Sequence, residues 1–459
     1  MSLIFEQLLT EPIGDASYLV GDDSARIAAV VDPQIDTGRY LDAALRHGLS
    51  IRHVIQTHVH EDFVSGAHAL ALATGADLCL SGHDAPAYGF AHRLVHDGDE
   101  LVLGGVVLTV KHTPGHTPEH VSLLLAKANA KQAPFAVLSG GSLLVGAAGR
   151  TDLLGPERAD ELTRAQFRTL RRFFLTLNDG VAVYPTHVHG SPCGAAIGDK
   201  VSTTIGYERR HNDLLRQDDE DSFVHAALDD LPPKPSYYPR LKETNTNAPR
   251  ARVALAMPAL PPREFQAALE KRQHVLLDTR QLLAFGGGHI PGALNIGASG
   301  PLSIQAGWML DANRPLLLVM ESDDQLQTVL GHLARTGFEK FGGYLCGGMT
   351  GWENAGLRLQ SMKQLHVQEL AESLRDHLVV DVRSPQEWKQ GHVPGARHIF
   401  LGDLGEQAAS LDRNRPVAMY CDSGYRASIA ASLLQARGFD VSNVPGSWQA
   451  WQACGLPIQ

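Results

Sequence analysis

Short apolar runs alternate with amphipathic stretches along most of the 459 residues, the pattern of strands exchanging with helices in an α/β protein. Three of these runs end at histidines. Ile51-Arg52-His53-Val54-Ile55-Gln56 predicts a strand that stops at Thr57-His58-Val59-His60-Glu61-Asp62-Phe63. Val106 to Lys111 stops at Thr113-Pro114-Gly115-His116-Thr117-Pro118-Glu119-His120, and Gly180 to Tyr184 stops at Pro185-Thr186-His187-Val188-His189. Three such loops converging on one sheet edge could build a metal site from imidazoles. Residues 202–228 read as mostly helical and charged, an outer surface of the first domain. Residues 229–262, with Pro232, Pro233, Pro235, Pro258, Pro261 and Pro262, read as a polar boundary without helical periodicity.

Beyond that boundary the pattern repeats itself. Gly288-His289-Ile290-Pro291-Gly292-Ala293 recurs as Gly391 to Ala396, and Asp278 and Arg280 recur as Asp381 and Arg383. Two α/β units in tandem follow, residues 258–359 and 363–459. In the second, Pro416 to Tyr420 predicts a strand and Ala427 to Arg437 a helix, joined by Cys421-Asp422-Ser423-Gly424-Tyr425-Arg426. A thiol at a helix N-terminus, ringed by backbone N–H groups and one arginine, is suited to hold an anionic sulfur cargo. Aligning Pro315 with Pro416 puts Met320 opposite Cys421 and Gln325 opposite Arg426, in a loop carrying Glu321, Asp323 and Asp324. A thioether is no thiolate nucleophile, and that charge would repel an anionic sulfur donor. The first unit therefore reads as a non-catalytic spacer or docking surface, with Cys346 as a packing residue.

The Cys421 loop, with Val379 to Arg383, Gly391 to Ala396 and Pro445-Gly446-Ser447-Trp448 through Gly455-Leu456-Pro457, resembles the rhodanese sulfurtransferases. The resemblance implies that Cys421 becomes a persulfide and passes sulfur to a thiol or cyanide acceptor. Arg426 would stabilise the anion, Asp422, Ser423, Gly424 and Tyr425 would form the active loop, and Asp381 and His392 would be structural.

Composition narrows the setting. The length accommodates about three domains, each with its own core. The five cysteines, Cys79, Cys193, Cys346, Cys421 and Cys454, are scattered and odd in number, which favours a reducing compartment over a disulfide framework. No leader-like start or membrane-length apolar run is seen, so a soluble cytoplasmic protein is expected. A net charge of -10 without a basic patch argues against nucleic acid and anionic membrane as partners. Self-association is left open.

The three histidine loops, in this order, resemble the metallo-β-lactamase fold, an αββα sandwich, over residues 1–245 including a helical tail. The fold class expected is thus α/β multidomain, that sandwich followed by two rhodanese-like domains. Ala16 to Gly21, Val31-Asp32-Pro33, His58 to Gly66, His112 to His120 and Gly149-Arg150-Thr151-Asp152-Leu153 are most similar to persulfide dioxygenases, particularly those fused to rhodanese domains. That resemblance implies one Fe(II) per chain on two histidines and one aspartate, oxidising a small persulfide such as glutathione persulfide. His58 and His116 match the imidazole ligands, and Arg150 matches a substrate-contacting arginine. Gly141 stands where the aspartate belongs, leaving His60, Asp62, Glu119 and His187 as substitutes to weigh. Phe63 replaces the second-site histidine of binuclear hydrolases. Three readings follow: a persulfide dioxygenase–rhodanese fusion also handling thiosulfate, a sulfurtransferase with a metal-poor scaffold, and a glyoxalase II-like thioester hydrolase.

Overall fold

The computed structural model describes residues 3–84, 86–229, 231–247 and 257–459. Residues 1 and 2 at the start, and residues 230 and 248–256 of the expected boundary segment, lie outside them. The chain forms two compact units, Met1–Val253 and Ala254–Gln459. Among the described residues no helix is long and apolar enough to cross a membrane.

Two six-stranded sheets build the first unit. One runs in the order Leu3–Thr10, Asp15–Asp22, Ile27–Val31, Ser50–Ile55, Asp77–Ser81, Arg93–Val95; the other runs Thr203–Thr204, Ala182–Pro185, Ala136–Gly140, Val121–Lys127, Val106–His112, Glu100–Leu103. Alternation along the strands aims Tyr18, Val20 and Ile55 of one sheet and Leu108, Leu123 and Leu138 of the other into a shared core. Helices Gly38–Arg46 and Ala67–Thr74 cover the outer face of the first sheet through Tyr40, Ala43 and Leu70. Helix Pro156–Arg172 covers the second through Leu170, against Val137 and Val183. Each fully buried Val, Leu or Ile contributes about 1.5–3 kcal/mol, so the sandwich is held by its periodicity. The αββα expectation is met.

The strand ends are stitched across the sheets, and the stitching sets the site. Ala16 N–H donates to Thr186 C=O at 2.8 Å, Val188 N–H to Gly14 C=O at 2.8 Å, Thr186 N–H to Gly140 C=O at 2.9 Å and Val121 N–H to Thr57 C=O at 2.8 Å. The boundary expected to lack helical structure instead contains helix Tyr238–Thr246, which docks on the first histidine loop. Asn245 donates to the carbonyls of His60 and Phe63 and accepts from Ser65 N–H, all at 2.8 Å. Only Tyr238, Leu241 and Asn245 of that helix are buried, so its apolar stripe is too thin to show in sequence.

The second unit holds two five-stranded parallel sheets of one topology. Their orders are Ala259–Leu260, Phe341–Leu345, Leu316–Val319, Val275–Asp278, Leu294–Asn295 and Lys363–Gln364, Val441–Asn443, Val417–Tyr420, Leu378–Asp381, Arg397–His398. Each repeat buries the same ion pair: Asp278 grips Arg280, which reaches Gly288 C=O at 2.8 Å, and Asp381 grips Arg383, which reaches Gly391 C=O at 2.7 Å. His392 stacks on Trp388 with centroids 3.4 Å apart, a structural placement like that of Asp381. Cys346, expected to pack, is exposed because the Gly347 turn carries it away from the core.

Candidate functional site

The first cluster lies where the three histidine loops meet. His58, His116 and His187 are buried, with ring centroids 4.8 to 5.4 Å apart. Each Nδ1 is anchored: His58 by the Thr57 hydroxyl at 2.9 Å, His116 by Arg150 C=O at 2.8 Å, His187 by the Asp15 carboxylate at 2.8 Å. An imidazole so held keeps Nε2 for a ligand, the arrangement of metal-binding histidines. The Nε2 atoms of His58 and His187 stand 3.4 Å apart. His116 is further fixed by Gln166, whose Oε1 accepts its backbone N–H at 2.9 Å.

The neighbours of these rings are engaged to different degrees. His60 Nε2 lies 3.1 Å from Asp32 without the geometry of a hydrogen bond; Asp32 accepts from Thr57 N–H at 2.7 Å and from the hydroxyls of Thr57 and Thr186 at 2.8 and 2.5 Å. His60 offers a ring nitrogen within 4.8 Å of one each of His58 and His187, and Phe63 stacks on it at 4.3 Å where a second-site ligand would stand. Glu119 is spent on the Val59 N–H at 3.0 Å. His120 accepts from Gly141 N–H at 2.9 Å, and burial pushes its pKa down to about 3. Burial also drives His58 and His116 well below the usual imidazole range. Burial works against the charged form of His187 too, but the charges of Cys193 and Asp62 and the bond to Asp15 outweigh it and raise its pKa.

Position 141 tests the implied iron. Its backbone is outside the left-handed region, yet a Cβ there would come within 2.3 Å of His116 Cδ2. The ring occupies the space of the missing carboxylate, so the described residues do not fit two histidines plus a carboxylate supplied through residue 141. Asp62 is no ready substitute, since its Oδ2 lies 3.2 Å from His187 Nδ1, on the side facing away from Nε2.

Arg150, which the resemblance makes a substrate contact, is paired within the chain. Its guanidinium is buried, donating to Asp152 at 2.7 and 2.8 Å and to the carbonyls of Pro192 and Pro232 at 3.0 Å. Four of its five N–H donors are therefore used, and a substrate carboxylate would have to displace Asp152.

The second cluster is the loop between strand Val417–Tyr420 and helix Tyr425–Ala436. Cys421 is buried beneath it, its Sγ receiving Gly424 N–H at 3.1 Å and its own N–H reaching Ser447 Oγ at 3.1 Å. Gly424 has φ 102°, a left-handed turn that aims its N–H inward. Asp422 binds the Gln449 amide at 2.6 Å and Ser423 C=O accepts Gly446 N–H at 3.2 Å, so the loop is braced on helix Ser447–Ala453. Tyr425 Oη donates to Gly297 C=O of the preceding repeat at 2.8 Å.

Arg426, expected to stabilise the anion, makes a two-point contact with Glu387 at 2.6 and 2.7 Å. Burial would raise the Glu387 pKa, but Arg426 and the Ser384 N–H hold it at about 2. Glu387 was missed, although Ser384-Pro385-Gln386-Glu387 carries a capping-box signature and the structure forms that box. Asp15, Asn245 and Cys193 were also missed. Cys193 has its thiol beside His187 and the Tyr238 hydroxyl at 3.3 Å.

Residues 12–129 match the metallo-beta-lactamase superfamily, and residues 261–355 and 366–454 each match the rhodanese-like domain. The chain thus carries an N-terminal metallo-β-lactamase domain followed by two tandem rhodanese-like domains. A metallo-beta-lactamase from Staphylococcus aureus subsp. aureus COL shares this structure with a TM-score of 0.68 and 27% identity, over 75% of this chain and 98% of that one. A probable metallo-hydrolase of Burkholderia pseudomallei (strain 1710b) is 29% identical over 45% of this chain and 79% of its own. The mitochondrial persulfide dioxygenase ETHE1 of Mus musculus is 29% identical over 38% of this chain. That match spans 64% of the dioxygenase, leaving more than a third of it unmatched.

Proposed function

We propose that this protein is a sulfur-metabolism enzyme that moves sulfane sulfur through a Cys421 persulfide in the repeat over residues 363–459, the repeat over 258–359 being non-catalytic. The observation that carries this reading is the Gly424 N–H at 3.1 Å from Cys421 Sγ, in a loop that opens a helix. The thiolate attacks the outer sulfur of thiosulfate, the S–S bond breaks, and sulfite leaves with the bonding pair. A thiolate or cyanide acceptor then takes the terminal sulfur and returns the Cys421 thiolate. Gly424 N–H and Arg426 offset the negative charge in both states. A persulfide such as glutathione persulfide would donate by the same displacement, with its thiolate leaving.

For the domain over residues 1–245, likeness to a persulfide dioxygenase supports binding of a small persulfide near the histidine cluster. Fe(II) would supply dioxygen activation in such a site. The His116 ring in the space of the residue-141 carboxylate favours the second reading, a sulfurtransferase whose metallo-β-lactamase domain holds iron poorly. Phe63 counts against the thioester hydrolase, which needs a fuller metal site.

Thiocyanate formation from thiosulfate and cyanide, with mass spectrometry of the Cys421 peptide after thiosulfate alone, tests the first part. A peptide that gains no sulfur atom would overturn it. For the second part, Gly141→Asp should raise iron occupancy and persulfide-dependent oxygen uptake together if the His116 ring moves aside. Full iron loading and rapid uptake in the unmutated protein would contradict the iron-poor reading.

A further inference from the structure

Six residues beyond His187 the chain turns at Ser191-Pro192-Cys193, and this turn is pinned to the loop that anchors His116. Arg150 N–H donates to Cys193 C=O at 2.9 Å while Arg150 C=O accepts from His116 Nδ1 at 2.8 Å. One short backbone segment therefore sets both side chains. The Cys193 thiol is buried, and its Sγ and one ring nitrogen each of His116 and His187 all lie within 4.8 Å of one another. With both Nδ1 atoms engaged, Nε2 is the nitrogen each ring can turn to a metal, that of His187 exchanging its contact with His58 Nε2 for it.

The surroundings are acidic. Asp62 is buried with both carboxylate oxygens lacking a hydrogen-bond donor, and Asp15 Oδ2 is in the same state. Both carboxylates stand on the Nδ1 side of His187, the outer position from which carboxylates orient metal-bound imidazoles.

We propose that Cys193 supplies the anionic donor that position 141 lacks, so that His116, His187 and Cys193 hold one thiophilic divalent cation, zinc by donor class. Imidazole and thiolate bonds of about 2.0–2.3 Å to zinc put neighbouring donors roughly 3.4–3.7 Å apart, so the cluster closes by about 1 Å of side-chain movement. His58 Nε2 lies 3.4 Å from that of His187. A thiolate with imidazoles suits borderline-soft zinc, whereas iron centres of the two-histidine kind use a carboxylate. Binding exchanges the thiol proton, and the Nε2 proton of His187 where that ring is charged, for bonds to the metal and releases them to solvent. The inference rests on the histidine cluster being a metal centre and goes beyond it in naming the donor and the metal class.

Cobalt(II) added to the full-length, chelator-stripped Cys421→Ser protein reads the donor directly. One equivalent should bind with visible ligand-field bands of low-symmetry cobalt and an intense near-ultraviolet sulfur-to-cobalt charge-transfer band, both displaced by zinc. Adding Cys193→Ser should erase the charge-transfer band and weaken binding at least about 10-fold. Ligand-field bands without charge transfer in the parent protein would leave the metal centre standing and refute the thiolate. An unchanged spectrum after Cys193→Ser would refute it as well. Failure of the parent protein to bind cobalt or zinc would overturn the metal centre and the donor together.

Discussion

The two rhodanese-like repeats share a sheet order and a buried Asp–Arg brace, yet they part at the loop. In the second repeat Cys421 lies under a left-handed Gly424 turn, and Arg426 closes on Glu387. In the first, Met320 and Gln325 occupy the matching loop positions, and counting from the shared Asp–Arg pair places Ala284 opposite Glu387. Nucleophile, cation and counter-carboxylate are missing together. Helix Pro385–Lys389 begins with a capping box, whereas helix Leu282–Gly287 has no side-chain cap. The fold is held by groups common to both repeats, and the chemistry by a set present in one.

The sharpest test of that division removes the nucleophile. Cys421→Ser should lower thiosulfate-to-cyanide transfer by about 10³-fold or more without changing the unfolding midpoint, because a buried hydroxyl fits where a thiol did. Met320→Cys on that background should restore nothing, since the loop keeps Glu321, Asp323 and Asp324. Transfer regained by the Met320→Cys protein would show that the first repeat needs only a thiol.

Next in size is the shared brace. Asp381→Asn and Asp278→Asn each leave a buried guanidinium without its counter-charge, and each should cost about 3–5 kcal/mol in denaturant unfolding. Arg383 also lies over the Trp448 ring at 4.5 Å, a contact that survives the first substitution. A large inequality between the two variants would break the equivalence of the repeats as scaffolds.

The Arg426–Glu387 pair separates anion binding from bracing. Arg426→Ala should raise the KM for thiosulfate about 10- to 100-fold, the scale of a lost charge-assisted hydrogen bond of about 1.5–3 kcal/mol. Glu387→Gln should leave that KM unchanged or lower it, because the arginine is released toward the donor; equal rises in both variants would make Arg426 a brace only. The pair also has a pH signature. Glu387 is held at about 2, below the ordinary 4.5, so its stabilisation is complete above pH 4.5 and is lost as pH falls toward 2. Acid unfolding of the Glu387→Gln protein should therefore be shallower than wild type in that window.

What sequence made legible was whatever repeats or sits beside a strand end. His58, His116 and His187 follow apolar runs, and Cys421 lies between a strand and a helix, so local pattern located both clusters and the tandem architecture. Long-range partners escaped. Asp15 meets His187 across 172 positions, and Asn245 reaches His60 across 185, through contacts no local period encodes. The polar face of helix Tyr238–Thr246 concealed it, and the turn at Pro192 hid the one cysteine placed beside the histidines. The pairing of Arg150 with Asp152, two residues on, went unread although both residues were in plain view.

The smallest predicted effect lies at Ser447. Gly347 and Gly446 end matching turns with φ of 73° and 72°, and the next residues are Gly348 at 56° and Ser447 at 44°. The first repeat thus uses glycine where the second holds a side chain in a left-handed conformation, at a cost of roughly 1–2 kcal/mol. The serine hydroxyl accepts Cys421 N–H at 3.1 Å and donates to Val444 C=O at 2.6 Å. Losing it orphans a buried N–H, at about 1–3 kcal/mol. Ser447→Ala keeps the backbone strain and loses the bonds. Ser447→Gly loses the bonds and the strain but adds roughly 0.5–1 kcal/mol of chain entropy. The expected stability order is wild type, Ser447→Gly, Ser447→Ala, in steps of about 1 kcal/mol, with transfer slowed equally in both variants. A glycine variant more stable than wild type, with transfer intact, would mean that the hydroxyl does not hold the Cys421 backbone and that the strain at Ser447 serves no part of the loop.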